Sequence, residues 1–159
     1  QAGPNYRGVR SIVGGSDLVE KLMTDGAEGI NVLYVCDASF SERAKDPAVV
    51  ANLRKARFLI VQSWDATHPL TEVADVLLPG TIHVEKEGTY TNLQGRVQRI
   101  HQAYPPKGQA VTDLEVFRRI GAMLSPQNNT FQSAEPADIT AELALTIPAD
   151  AGPEPAETW

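Results

Sequence analysis

Three short apolar runs constrain this chain more than anything else in it. They are NVLYVCD at 31–37, RFLIVQSW at 57–64 and DVLLPG at 75–80. None alternates apolar with polar residues, so none reads as a strand with one wet face. Uninterrupted β-branched and aliphatic runs of this length mark strands buried on both faces. Between the first two lies a helix signal: Asp46 as N-cap, Pro47 at the first position, then Val49, Val50 and Leu53 as an apolar stripe. A strand, a helix and a second strand close compactly only with the strands parallel and the crossover right-handed. The pattern predicts an α/β fold: a small Rossmann-like parallel sheet flanked by helices.

The remaining segments fill out that expectation. Leu18, Val19 and Leu22 repeat at helical spacing up to Gly26, with Ser16 placed as an N-cap. HPLTEVA at 68–74 has the length of one helical turn, and Pro79-Gly80 closes the third strand. After Gly80 the pattern changes. GTYTN and RVQRI flank a short link containing Gly95, which predicts a β-hairpin extension. PPKGQA is a turn-rich connector. Asp113–Leu124 predicts a helix with Leu114, Phe117, Ile120 and Leu124 on its apolar face and Thr112 or Asp113 as its cap. A last helix is expected over Pro136–Leu145. The domain boundary falls at 1–147, and the Pro-, Ala- and Glu-rich stretch 148–159 is expected to be a tail or the lead-in to a further domain.

Composition excludes several classes of function. Fourteen basic and twenty acidic residues leave a net charge of −6, the opposite of a nucleic-acid footprint. No apolar run approaches the roughly 20 residues that span a bilayer. The single cysteine, Cys36, cannot form an internal disulfide and cannot supply an iron–sulfur or zinc site alone. It reads as a small buried apolar residue in a reducing compartment. The chain opens on Gln rather than Met, and the expectation is a processed product, a cloned fragment or the ordered part of something longer.

Open α/β sheets bind ligands beyond the C-terminal ends of their strands. The candidates there are Asp37, Gln62 and Asp65. The two carboxylates can accept from ribose hydroxyls or guanine amino groups, and Gln62 can read an amide edge. Capping of the following turns is the competing role for the aspartates. No GxGxxG follows the first strand and there is no P-loop, so a self-sufficient NAD or nucleoside-triphosphate site is not expected. His68 and Glu72 stand at i,i+4, but one imidazole followed by Pro69 makes a poor metal site. Arg96, Arg99 and His101 form a basic stripe that could hold an anion or pair with Glu85 or Glu87 across the hairpin. No residue has the setting of a catalytic nucleophile.

The run from Arg57 to Ile100 resembles the molybdopterin oxidoreductase superfamily. Its parts are Val61-Gln62, then Thr71-Glu72-Val73-Ala74-Asp75-Val76-Leu77-Leu78-Pro79, then Glu85-Lys86-Glu87-Gly88-Thr89-Tyr90-Thr91-Asn92 and Gly95-Arg96-Val97-Gln98. The resemblance covers about Ile30 to Leu124. Within the superfamily it leans toward the large iron–sulfur (G) subunit of NADH:quinone oxidoreductases. The link before TEVADV is enlarged, and AEPADITAELALTIP looks like a closing helix. The Asn-Pro usual after the first strand of molybdenum-cofactor enzymes is Asp37-Ala38 here.

That likeness implies a non-catalytic scaffold domain, with iron–sulfur clusters elsewhere in the parent subunit and no cofactor or metal in this chain. Its partners would be the parent's other domains and other subunits of a respiratory complex. The setting would be cytoplasmic, peripheral to the inner face of the membrane without insertion. A second implication is a domain holding molybdopterin guanine dinucleotide in a molybdenum or tungsten enzyme such as a formate dehydrogenase. There Asp37, Gln62, Asp65, Asn92 and Arg96 would be the cofactor contacts. A free-standing binding module is the third.

Overall fold

The computed structural model describes residues 17–36, 42–92, 94–127 and 135–146. They fall into two compact units. The first is built from Ser16–Ile82 and Pro106–Asp113; the second is built on His83–Pro105 and the chain from Leu114 onward.

The first unit is the predicted α/β layer. Its elements are α1 (Leu18–Thr24), β1 (Val32–Cys36), a 3-10 turn (Glu42–Lys45), α2 (Pro47–Arg54), β2 (Phe58–Ser63), α3 (Pro69–Val73) and β3 (Val76–Pro79). The strands form one parallel sheet in the order β1-β2-β3. Register pairs Leu33 with Leu59 and Val35 with Val61. Alternation along each strand puts these four on one face. They join Ala44, Val49, Leu53 and Leu70 in the core, with Leu22, Met23, Val50 and Val73 packed around it.

Helix α2 begins as the sequence demands. The Asp46 carboxylate accepts from Ala48 N at 2.8 Å and Pro47 takes the first helical position, which satisfies one orphan donor and removes another. Helix α1 starts at Asp17 without a side-chain cap; Ser16, the expected cap, lies outside the described residues. Its other end is finished from a distance. Asn52 Nδ2 on α2 donates to the carbonyls of Met23 and Thr24 at 2.8 and 2.9 Å. Asp75 ties β3 to β2: its Oδ2 accepts from Leu59 N at 2.7 Å, its backbone N donates to Leu59 O, and its Oδ1 accepts from Arg54 at 3.1 Å. Gly80 sits where a Cβ would lie 3.1 Å from Ser63 C and 3.2 Å from Trp64 N. A side chain there would require the end of β2 to give by a few tenths of an ångström.

The second unit holds a 3-10 turn (His83–Glu85), the antiparallel pair β4 (Gly88–Thr91) and β5 (Val97–Ile100), α4 (Asp113–Leu124, from Leu114) and α5 (Pro136–Thr146). Helix α5 runs against β4. The expected apolar stripe of α4 needs correction. Val116 is its buried residue, while Phe117 is 42% and Leu124 79% exposed. The inward line runs through Val116 and half-buried Ile120, at i,i+4. Adjacent apolar positions at 116 and 117 let two neighbouring stripes fit the same sequence. The stretch expected as a tail, 148–159, lies outside the described residues. No helix among the described residues is long and apolar enough to cross a membrane.

Candidate functional site

The C-terminal rim of the parallel sheet is where the chemistry gathers. Register sets Cys36, Gln62 and Leu78 level across the three strands. By alternation, Tyr34, Cys36 and Gln62 face away from the Leu59–Val61 core.

Gln62 is 1% exposed, yet its amide is engaged on two sides. Its Oε1 accepts from the Tyr34 hydroxyl and lies 3.8 Å from Cys36 Sγ. Its Nε2 donates to Asp113 Oδ1 at 2.7 Å. Asp113 reaches this rim because the connector Pro106–Asp113 belongs to the sheet unit. Gly108, at φ +61°, and an Ala110 N–H bond to Lys107 O turn the chain there. Burial first, then the neighbouring Cys36 and Asp113, push the Tyr34 phenol well above its ordinary range.

Asp65, just past β2, acts as a turn former. Its Oδ1 accepts from Thr67 N at 2.9 Å and from Thr67 Oγ1 at 2.7 Å. The Thr67 hydroxyl first, then the Thr67 N–H, hold this carboxyl below its usual range. Ser63 exchanges two hydrogen bonds with the Asp65 backbone. His68 is 1% exposed, and its Nδ1 accepts from Leu70 N at 3.2 Å as the cap of α3. That assignment leaves the proton on Nε2 and spends the nitrogen that a metal shared with Glu72 would need. Among the described residues no group of three His, Cys, Asp or Glu is arranged to hold a metal ion.

Cys36 corrects the sequence reading. It is an exposed thiol outside any disulfide rather than a buried apolar residue. It ends an edge strand and points to the face opposite the helical core. Asp37 lies outside the described residues.

Asn92 and Arg96 belong to the other unit. Asn92 Oδ1 accepts from the backbone of Gln94 at 3.0 Å and Arg96 at 2.9 Å, and Asn92 N donates to Arg96 O. It builds the hairpin turn. The Arg96 side chain is exposed at the end of that turn. The expected basic stripe is uneven, because Arg96 precedes β5. Arg99 pairs with Glu87 at 4.0 Å, and Glu85 is buried, with its carbonyl accepting from Gln102.

The chain's own residues fit the nucleoside end of a dinucleotide cofactor in their chemistry. Asp65, just past β2, and Asp113, at the start of α4, are acceptors at the sheet rim, and Gln62 brings an amide. Thr81, two residues past β3, is 1% exposed and its hydroxyl has no hydrogen-bond partner among the described residues. A buried orphan hydroxyl past the end of a strand is a group a bound molecule can satisfy. Three residues at this rim, Tyr34, Thr81 and Asp113, were not in the sequence-based site. Tyr34 is the one polar-tipped side chain in an otherwise apolar strand, and its i,i+2 spacing to Cys36 marks a shared face. Asp113 read only as a helix cap, since nothing in a separation of 51 positions announces its bond to Gln62.

The pattern of the molybdopterin oxidoreductase family matches residues 6–123. A Staphylococcus aureus protein provisionally named a formate dehydrogenase is 38% identical over 104 residues. One of the same provisional name from Staphylococcus haemolyticus is 36% identical over 104 residues. Each alignment covers 65% of this chain and 10% of the relative. The chain thus spans about a tenth of the length of the curated relatives it matches. Their names are those of formate dehydrogenases and not of the expected G-type subunit. With the sheet, its rim and the matched 6–123 stretch in agreement, the chain belongs to the molybdopterin oxidoreductase family.

Proposed function

We propose that this chain is a guanine-dinucleotide-holding α/β domain of a molybdenum or tungsten oxidoreductase of the formate dehydrogenase kind. The carrying observation is the 38% identity over 104 residues to a relative of that name. The acceptor-rich rim of the sheet supports it. When bound, the metal–pterin cofactor supplies the redox centre. This chain's part is to hold one end of it through Gln62, Asp65 and Asp113, with Asp37 as a further candidate. Asn92 and Arg96 stand as candidates on the hairpin. Electron transfer belongs to other parts of the polypeptide, because one cysteine cannot ligate a cluster alone.

The competing reading is a scaffold domain of a G-type NADH:quinone oxidoreductase subunit. It rests on Asp37-Ala38 standing where Asn-Pro is usual. Metal and pterin analysis separates the two. The polypeptide carrying this chain, purified from molybdenum-replete cells, is expected to yield stoichiometric molybdenum or tungsten and the oxidised pterin fluorophore. Absence of both rejects the dinucleotide-holding function and leaves the scaffold.

A further inference from the structure

We infer that His68 is an acid-sensitive latch on the turn that joins β2 to β3. The ring nitrogen that can take up a proton is the one that holds the start of α3.

The geometry is local. His68 has extended backbone, φ −66° and ψ 132°, and its Nδ1 accepts from Leu70 N at 3.2 Å. Pro69 at the first helical position has no N–H, so the imidazole serves the first donor that α3 has. The turn is tied at its base as well: His68 N donates to Asp65 O, and Thr71 N donates to His68 O at 2.8 Å. The Thr71 hydroxyl lies within hydrogen-bond reach of Ala66 O and His68 O. Leu70, whose N–H is held, is 0% exposed in the core with Leu59 and Val61. The cap thus seats a core side chain, and His68 itself is 1% exposed.

A neutral imidazole carries one N–H and one lone pair. With Nδ1 accepting, the lone pair is there, and Nδ1 is the atom a proton must join, whatever else the ring touches. Protonation turns the acceptor into a donor facing the Leu70 N–H and puts a charge in a buried position. Both effects favour the neutral ring in the closed turn and the charged ring in the open one. A nearby carboxylate would oppose them. Strand β2 carries no charged residue. On the 3-10 turn and α2, Lys45 pairs with Glu42, Arg43 with Glu20 and Arg54 with Asp75, while Asp46 caps its own helix. Glu72 on α3 is exposed. Among the described residues Asp65 is the carboxylate that senses the imidazole, but the Thr67 hydroxyl and N–H act on it more strongly, and Lys45 shares it. Asp65 is also partly exposed, so water screens its pull on the ring.

The closed turn therefore binds fewer protons than the open one. Its stability is full above the ordinary histidine value, about 6.5, and falls as pH drops below it. The open-to-closed ratio rises by up to about tenfold per pH unit there. The strands are not released with it, because Asp75 ties β3 to β2 by its own bonds to Leu59. The latch frees the turn, and Asp65 on it, whether or not a cofactor is held at the rim.

The test is hydrogen exchange read by mass spectrometry on the polypeptide carrying this chain, between about pH 7.5 and 5.5, with exchange times corrected for the intrinsic pH dependence. Peptides covering 65–73 should lose protection severalfold, up to about tenfold per unit below pH 6.5, while peptides covering 58–63 keep theirs. His68→Asn places an amide oxygen where Nδ1 stood and caps without titrating, so it should hold 65–73 protected across the range. His68→Ala should lower that protection roughly fivefold even at neutral pH. Flat protection of the wild-type turn overturns the inference and needs no variant. So does an acid loss that persists in His68→Asn, or wild-type protection in His68→Ala at neutral pH. Loss from 58–63 by the same factor as from 65–73 also overturns it, by making His68 a determinant of global stability only.

Discussion

Asp75 shows how one side chain can carry two interactions of very different weight. Its Oδ2 takes the backbone N–H of Leu59, a residue 0% exposed, while its Oδ1 meets a partly exposed Arg54 at 3.1 Å. Removing the carboxylate strands a donor at the heart of the sheet, a loss of about 1–3 kcal/mol. Removing the arginine costs an exposed ion pair, about 0–1 kcal/mol. Urea denaturation of Asp75→Ala and Arg54→Ala should rank them in that order. Equal losses would mean that the ion pair, not the backbone bond, holds β3. The Ala-Asp-Val string was legible as a motif, but the job of its aspartate was not, because it depends on a residue 16 positions away.

Tyr34 gives a second test at this scale. Its phenol is raised by burial first, then by Cys36 and Asp113. A group raised on folding contributes stability that is full below its unfolded value and is lost as pH climbs through the folded one. Tyr34 is thus expected to hold its proton above the pH at which an ordinary tyrosine, near 10, has ionised. Absorbance titration near 295 nm should show one of the four tyrosines delayed, and Tyr34→Phe should abolish that delayed step. Four tyrosines titrating together would contradict the geometry at Gln62.

At the scale of elements, local signals decided most of the fold. The Asp46-Pro47 start of α2 was readable because a cap is a contact between neighbours: Asp46 to Ala48. Asp46→Ala should cost about 1 kcal/mol in denaturant midpoint experiments. The hairpin was equally local. Gly95 sits at φ +82°, and Asn92 closes the turn through bonds to Gln94 and Arg96. Gly95→Ala should cost about 1 kcal/mol and speed amide exchange across the Thr91–Val97 pairing. A fully protected hairpin in that variant would show that the turn does not set the register. The inward line of α4 was not legible. Val116 and Phe117 are both apolar and adjacent, and only the surroundings choose between them.

At the scale of the whole molecule, charge and ligand binding meet. The chain carries −6 at neutral pH, so its long-range field repels a phosphate-bearing ligand, and under the proposed function the recognition would come from short-range hydrogen bonds at the sheet rim. Two consequences can be measured together. A ligand that binds only the folded chain adds about 2.7 kcal/mol at one hundred times its Kd, or roughly 5–10 °C in a domain of this size. Guanosine monophosphate should therefore raise the thermal midpoint by that order at saturation, whereas a scaffold without a nucleotide site gives no shift. Salt then distinguishes the kind of attraction. Phosphate binding by a basic surface weakens steeply as ions are added. Here added salt screens a repulsion that reaches about 10 Å at 0.1 M, so the shift should hold or grow between low and moderate ionic strength. A shift that collapses with salt would place the nucleotide on a local basic patch such as Arg96 on the hairpin, and would move the binding site away from the rim that Gln62 and Asp113 form.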